Sequence, residues 1–413
     1  GRLEMGGTTA WFVPSPFRFC LCCGVAYPAR QRSDNAKLAT LGSGGRSTAT
    51  TILSAAAVRS LLTDPTVDPH EKKLLAFSDN RQDASLQAGH FNDFIEVGLL
   101  RSALYRAVEL AGPTGITHEA LTQRVCDALD VPRPLYMQNP DIKGVAALEA
   151  DRALRDVLGY RLYLDQRRGW RITSPNLEQT GLLTISYLAL DDLVADEAAW
   201  AGLHGVLVSA TVQERRRVAR TLLDYLRREL AIKVDYLDPL RQEQIGIASS
   251  QWLKGPWSID ENEQMIHGFV CYPKPKGAKD FRDALFVSAR GGFGQYLRRP
   301  STFESWGTKI KLDETTEIIA GLMKALASYG LLAEVEPAKG DDPAAYQVQA
   351  AAMRWCQGNG QVEADPIKVP RPPVDGLRAN RFFVDFYKSV AADGQGLEAK
   401  EHTAQVPMEQ RLI

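Results

Sequence analysis

The sequence predicts an α/β fold in which a mainly helical region separates two parts of a smaller α/β unit. Residues 73–77, KLLAF, form a short apolar run that is typical of a buried strand. Residues 83–111 then carry apolar side chains at helical spacing, and most of residues 112–255 follow the same period. Towards the end, NRFFVDFYKSV (residues 380–390) and KEHTAQV (residues 400–406) are predicted to be strands of the same α/β sheet.

Length and composition set limits on the class of protein. The chain has 413 residues, which suggests two to four domains, and its net charge of −1 gives no global footprint for nucleic acid. No apolar run approaches the ~18 residues of a membrane span. Six cysteines in a chain of this length do not form a disulfide scaffold, which favours a reducing cytoplasm. The start at Gly1 and the end at EQRLI suggest a piece of a longer polypeptide.

The first segment, residues 1–40, is a small irregular module that contains half of a zinc-binding motif. Cys20 and Cys23 are spaced C-x-x-C, so that both thiolates can reach one Zn²⁺ at about 2.3 Å. The other isolated cysteines are Cys126, Cys271 and Cys356. Either further ligands lie upstream of Gly1 or the motif holds no metal, and we do not expect this chain alone to bind zinc.

A glycine-rich stretch, LGSGGRST (Leu41 to Thr48), precedes a predicted helix. Backbone amides of such loops can hold phosphate groups. A Walker A motif is excluded, since Thr40 stands in place of its first glycine and Arg46 in place of its lysine. A weak phosphate contact from Gly44, Gly45 or Arg46 is one interpretation. We favour the other, a flexible loop that leads into the helix.

Two stretches combine cations with aromatic rings, a combination that suits a single strand of nucleic acid. The first is a predicted hairpin, RLYLDQRRGWRITSPN (residues 161–176), and the second is RGGFGQYLRRP (residues 290–300), whose aromatic side chains are Phe293 and Tyr296. The predicted nucleic-acid-binding residues are Arg167, Arg168, Trp170, Arg171, Arg290, Arg298 and Arg299. The alternative is that both are solvated surfaces with local salt bridges.

Residues 200–231 are predicted to form one long helix or two helices in series, with several arginines on the polar side. Glu214, Asp224 and Glu229 lie close in sequence, so we interpret this side as a solvated face with local salt bridges. The stretch also contains Ser-Ala-Thr (residues 209–211), which matches a helicase motif. It falls within the helical pattern without a preceding metal-binding box, and we interpret the match as coincidental.

The region 256–360 contains a helix followed by a hairpin. DETTEIIAGLMKALASYGLL predicts the helix, and LLAEVEP and AYQVQA predict paired strands around a polar loop. This order is that of the second half of a winged-helix unit, although a small α+β hairpin of another kind remains open. Residues 357–376, rich in glycine and proline, are predicted to be a linker.

The most distinctive feature is the unbroken polar block SDNRQD at residues 78–83, directly after the apolar run. The stretch LLAFSDNRQDASLQAGHFNDF, with FCLCCGVAY before it and GWRITSPNLEQTGLL after it, resembles the large bacterial superfamily 2 DEAD/DEAH-box DNA helicases with a cysteine-rich C-terminal domain. In these helicases two RecA-like lobes clamp ATP and move along one strand. The resemblance implies that Ser78, Asp79, Arg81 and Gln82 lie near the lobe interface and the backbone of the tracked strand.

The resemblance implies a partial RecA-like lobe interrupted by a mainly helical insertion. The implied parts are a cysteine-containing segment (1–40), the first part of the second lobe (41–111), a helical insertion with a basic hairpin (112–255), a winged-helix-like unit (256–360), and a linker with resumption of the lobe (361–413). It also implies DNA, single-stranded or a junction, and the first lobe as partners, with ATP and Mg²⁺ as cofactors of the complete protein.

The sequence departs from that family in the groups that hydrolyse ATP. It contains no Walker A lysine, no acidic box and no arginine-finger motif, groups that bind and stabilise the phosphates and Mg²⁺. We therefore expect an internal fragment that does not hydrolyse ATP by itself. The alternative is a non-motor winged-helix DNA-binding or scaffold protein with a degenerate lobe.

Overall fold

The computed structural model describes residues 43–68, 71–75, 81–167, 175–260, 263–274, 283–370, 373, 376–393, 397 and 399. It confirms a mixed α/β protein. The helices are α1 Ser43–Thr63, α2 Arg81–Ala111, α3 His118–Leu129, α4 Arg133–Tyr136, α5 Val145–Leu164, α6 Leu190–Ala195, α7 Glu197–Trp200, α8 Gly205–Ser209, α9 Val212–Arg228, α10 Pro239–Trp252, α11 Gly292–Leu297, α12 Leu312–Ser328 and α13 Arg381–Asp393. The strands are β1 Ile116–Thr117, β2 Leu183–Tyr187, β3 Ile232–Lys233, β4 Val270–Tyr272, β5 Ala284–Phe286, β6 Leu332–Glu336, β7 Ala345–Gln349 and β8 Met353–Gln357.

Two small sheets organise the middle of the chain. In the first, β8 lies between β1 and β2, both antiparallel to it, and Ile185 faces Trp355. The second has the order β3-β7-β4-β5 with β6 added beside β7, and it mixes parallel and antiparallel pairs. Strands from 112–255 and from 256–360 therefore pair within the same sheets. The division of the chain into domains stays a prediction.

The predicted helix and hairpin within 256–360 are confirmed as α12, β6 and β7. β6 and β7 pair antiparallel, with a register shift between Glu334 and Glu336. The helix begins where the acidic residues predict, and the backbone N–H of Lys311 donates to Glu314 at 2.6 Å. Whether this α–β–β order belongs to a winged helix stays a prediction.

Two of the predicted strands do not form in the part of the chain that the structure describes. Residues 73–75 form neither helix nor strand, and 76–77 lie outside the described residues. Residues 381–393 form α13 instead of a strand. Phe383, Phe386 and Tyr387 are buried at i, i+3 and i+4, so the helical period prevails over the strand preference of aromatic residues. The predicted strand 400–406 also lies outside the described residues.

The first half of the predicted basic hairpin is wrong as well. Residues 161–164 form the last turn of α5, in which Leu158 to Leu164 are all buried. A helix that is enclosed on every side carries apolar residues at positions that also fit a strand. The sequence pattern alone could not separate the two interpretations here.

Residues 200–231 form two helices in series, one of the two expected arrangements. α8 ends at Ser209 and α9 begins at Val212, so Ser-Ala-Thr lies at the junction rather than inside a helix. The Thr211 hydroxyl accepts from the Glu214 N–H at 3.2 Å, and the Glu214 carboxylate accepts from the Thr211 N–H at 2.8 Å. This capping box gives Ser-Ala-Thr a structural role in starting α9.

Segments from before and after the central region pack together. α13 and α1 both lie against α2, and the ring of Phe94 is 5.0 Å from that of Phe386 between centroids. The side chain of Asn92 donates to the Ala399 carbonyl at 3.0 Å and accepts from the Ala399 N–H at 2.7 Å. Among the residues that the structure describes, no helix is both long and apolar enough to cross a membrane.

Candidate nucleic-acid interface

The polar block 78–83 leads directly into α2, the longest helix among the described residues. Arg81 and Gln82 are the first two residues of α2, whereas Ser78 and Asp79 lie outside the described residues. One turn further on, α2 is attached to α1. The Thr51 hydroxyl lies 3.1 Å from His90 Nδ1 and accepts from Gln87 at 2.9 Å. Arg81 and Gln82 therefore start a helix that side-chain hydrogen bonds attach to α1.

The glycine-rich stretch is helical. Gly44, Gly45 and Arg46 lie in the first turn of α1, which begins at Ser43, so the predicted flexible loop is wrong for these residues. Their backbone geometry does not fit a phosphate-binding loop of the Walker type. Cys20 and Cys23 lie outside the described residues. Within the described ranges, no group of three or more His, Cys, Asp or Glu side chains is placed to hold a metal ion.

The basic hairpin is only partly described. Arg167 is half-buried in the turn after α5, and Arg168, Trp170 and Arg171 lie outside the described residues. Arg161, which precedes them, is buried, pairs with Glu96 and donates to the Ser258 carbonyl at 3.0 Å. Its guanidinium links α5 to α2 and to the chain after α10, so it is not exposed to a ligand in solution.

The arginines of α9 are mostly paired with carboxylates, but with more distant ones than expected. Five of the six make such pairs, and the partners come from four other parts of the chain. The pairs are Arg215 with Glu197 (2.8 Å), Arg216 with Asp191 (2.9 Å), Arg220 with Glu363 (2.6 Å), Arg227 with Glu178 (2.8 Å) and Arg228 with Glu178 (3.4 Å). The predicted local salt bridges are represented by Asp224, which also contacts Arg227 at 3.0 Å.

Two of these arginines are structural. Arg227 is fully buried and donates to Glu178, Asp224 and the Gln166 side chain. Burial opposes ionisation of Glu178, but the neighbouring guanidiniums of Arg227 and Arg228 outweigh it and lower the pKa of that carboxyl. Arg215 is buried against the Trp200 ring, 5.1 Å from its centroid. A charge buried in this way is stable in the folded protein only while its partner is present.

Arg217 is the exception on α9. Its side chain is exposed and donates only to the carbonyls of Ser301, at 3.0 Å, and Thr302, at 2.7 Å. The nearest acidic residue in sequence, Glu214, accepts hydrogen bonds from Thr211 and Ser305 instead. The positive charge of Arg217 is therefore not paired with a carboxylate among the described residues.

In the stretch 290–300, two of the three arginines also donate to backbone carbonyls. Arg298 donates to the Ala289 carbonyl at 2.5 Å, and Arg299 donates to the carbonyls of Pro366, at 2.5 Å, and Ile367, at 3.2 Å. Arg290 is exposed, and its side chain makes no hydrogen bond or ion pair with any described residue. The expected base stacking is not available from the aromatic residues here, because Phe293 and Tyr296 are 2% and 4% exposed.

A cavity of about 280 Å³ lies between α9 and residues 363–367. Arg216, Arg217 and Arg220 line one side, and Glu363, Asp365, Pro366 and Ile367 line the other. A second cavity of about 230 Å³ continues past Arg220 and Arg228 towards Asn380. Arg216 and Arg220 are paired with carboxylates, so Arg217 is the lining guanidinium that suits an anionic ligand. Sequence analysis did not single out Arg217, because no local pattern shows which arginines lack a carboxylate.

The chain matches no protein-family model, no curated protein and no solved structure.

Proposed function

We propose that this chain is part of an ATP-dependent DNA helicase of superfamily 2, in which the groups that hydrolyse ATP come from other parts of the protein. The packing of α13 and Ala399 onto α2 is the observation that carries the proposal. A lobe that is interrupted by an insertion requires the segments before and after the insertion to meet. Here the segments 41–111 and 361–413 meet in this way, on the helix that starts with the polar block.

In this proposal the polar block couples the lobe to its surroundings. Ser78, Asp79, Arg81 and Gln82 contact the first lobe and the backbone of the tracked DNA strand. ATP and Mg²⁺ bind to the complete protein, where a Walker A lysine and an acidic box are required for phosphoryl transfer. The described residues of this chain supply none of the phosphate-binding groups.

A non-motor DNA-binding role is the second candidate, favoured by the helix–hairpin order of α12, β6 and β7. The charge of this unit opposes it. Residues 309–342 carry seven acidic and four basic side chains, and the exposed positions of α12 include Asp313 and Glu317. A surface of this sign repels the phosphate backbone. We therefore place DNA contact elsewhere in the insertion.

The test is ATP hydrolysis by the natural polypeptide that contains this chain, with and without single-stranded DNA. We expect DNA to stimulate hydrolysis, and we expect Arg81→Ala to reduce that stimulation by roughly ten-fold or more, as loss of a charged contact does. Arg106→Ala is the matched control, because Arg106 is an exposed arginine on the same helix. The isolated chain should release no phosphate.

Two results would contradict the proposal. The first is a natural polypeptide whose ATP hydrolysis does not respond to DNA. The second is an Arg81→Ala variant whose DNA-stimulated ATP hydrolysis equals that of Arg106→Ala, which would show that the polar block does not take part in the coupling to DNA.

A further inference from the structure

Among the described residues, four arginines of this region make no ion pair or hydrogen bond with a carboxylate. They are Arg217, Arg290, Arg298 and Arg299, hereafter the arginine turn, and they differ in this respect from the other arginines of α9. The guanidiniums of Arg217, Arg298 and Arg299 donate to backbone carbonyls, and the side chain of Arg290 is exposed. A cluster of arginines without ion pairs is a local positive surface on a chain with a net charge of only −1.

The chain brings these four side chains into one region. Arg298 is tied to Ala289, next to Arg290, and Arg217 is tied to the carbonyls of residues 301 and 302, shortly after Arg299. Arg299 in turn holds residues 366 and 367, which form one side of the 280 Å³ cavity that Arg217 lines from the other side. Of the arginine turn, Arg217 lines that cavity, and Arg299 binds the segment that forms its other side.

Two nearby acidic groups accept hydrogen bonds from groups other than these arginines. Glu214 accepts from Ser305 and Thr211, and one oxygen of Asp365 accepts from the Ile367 N–H at 2.9 Å. Burial lowers the pKa of Arg299, against the opposing effects of Tyr296 and Asp365. A guanidinium stays charged in proteins at neutral pH despite such a shift.

We propose that the arginine turn binds the phosphodiester backbone of the DNA strand; this inference rests on the proposed function. A guanidinium has five N–H donors, and Arg217 and Arg298 each donate to carbonyls through only one terminal nitrogen. The remaining donors are free to bind phosphate oxygens. The carbonyl contacts already fix the side chains, which reduces the entropy lost when the strand binds.

The buried state of Phe293 and Tyr296 decides which part of the strand is recognised. Neither ring is exposed to stack on a base, so the contacts are with phosphates alone. Phosphate contacts position a nucleic acid without reading its sequence, and they weaken as salt rises. Binding to the arginine turn is therefore independent of sequence and strongly dependent on salt.

The experiment measures binding of the full chain to a fluorescently labelled oligothymidylate by anisotropy at several salt concentrations. For Arg217→Ala/Arg290→Ala we expect roughly ten-fold weaker binding at low salt and a salt slope reduced by about 1.4, since each phosphate contact on a single strand contributes about 0.7. The control Arg216→Ala/Arg220→Ala removes two arginines of the same cavity that are paired with Asp191 and Glu363, and affinity should change less than about two-fold.

The outcomes separate this inference from the proposed function. Equal affinities of the two double variants would show that the arginine turn is not the binding surface. The proposed function would then still be tested by ATP hydrolysis alone. A wild-type chain that does not bind the strand at low salt would also overturn the inference. Arg290→Glu alone is the second variant, because the exposed Arg290 side chain makes no hydrogen bond or ion pair with a described residue. Unchanged binding by this variant would also count against the proposal.

Discussion

Arg101 donates through Nη1 to the hydroxyl of Tyr387 at 2.9 Å, across 286 residues of sequence. The same hydroxyl donates to the Pro175 carbonyl at 2.6 Å, and Arg101 pairs with Asp165 at 2.6 Å. Arg101 and Tyr387 are 2% and 1% exposed. One buried hydroxyl therefore connects α2 and α13, which the proposed interrupted lobe brings together, with the chain after α5 in the insertion.

Replacing Tyr387 by phenylalanine tests this connection. Removal of the hydroxyl leaves the Pro175 carbonyl and the buried Arg101 guanidinium each with one hydrogen bond fewer, so we expect the free energy of unfolding to fall by about 1–3 kcal/mol. Urea denaturation followed by circular dichroism measures the change. Tyr329→Phe is the control: its hydroxyl donates to Asp196 at 2.6 Å near the surface, and the loss should be smaller. Equal losses would show that the buried network adds nothing.

The elements with one dominant signal could be predicted from the sequence. α12 combines an acidic start, a regular apolar period and a terminal glycine, and β6 and β7 alternate around a polar loop. The strand prediction for the residues of α13 was wrong because their run of aromatic side chains fits strand preference as well as a helical period. The prediction for the end of α5 was wrong because Leu162 and Leu164 are both buried, on opposite sides of one helix. Both failures come from tertiary burial, which no local pattern contains.

The candidate site was harder to predict than the fold. The partners of the α9 arginines lie far away in sequence, such as Glu363, which pairs with Arg220 across 143 residues. Local spacing rules reach only three or four residues along a helix, so they assigned every arginine of α9 to the same class. Arg217 could be separated from Arg216 only after the fold had shown which carboxylates reach each of them.

Glu214 should make stability depend on pH in the acid range. Burial by itself would raise its pKa, but hydrogen bonds from Ser305 and Thr211 outweigh burial and lower the pKa from 4.5 to about 2. A carboxyl with a lowered pKa in the folded state stabilises the fold above its unfolded pKa, and the effect is lost as the pH falls from 4.5 to about 2.

The corresponding variant is Glu214→Gln, compared by urea denaturation between neutral pH and about pH 2. At neutral pH we expect it to be less stable than the wild type by about 1–3 kcal/mol, and the difference should close in the acid range. Glu304→Gln, an exposed carboxylate close by, is the control. A difference that stays constant over the whole range would show that the charge of Glu214 does not contribute.

Cysteine reactivity should report burial in the second sheet. Cys271 on β4 is fully buried, and burial raises the pKa of its thiol far above the ordinary value, so little thiolate forms. Cys126 on α3 is only partly buried. We expect iodoacetamide to modify Cys126 well before Cys271 in the folded chain, and both at similar rates in denaturant, as measured by peptide mass spectrometry. Equal rates in the folded chain would place Cys271 at the surface.

Two glycine-to-alanine substitutions should change stability in opposite directions. Gly358 follows β8, and a Cβ at this position would overlap the backbone carbonyl of Gly181, so Gly358→Ala must displace the main chain next to the β2–β8 pair. We expect it to cost about 1–3 kcal/mol. Gly246 lies inside α10 with no atom within 4 Å of an added Cβ, and Gly246→Ala should gain about 0.5–1 kcal/mol from helix propensity. Thermal unfolding of the two variants measures both effects, and a stabilising Gly358→Ala would mean that residues 181 and 358 are not in contact.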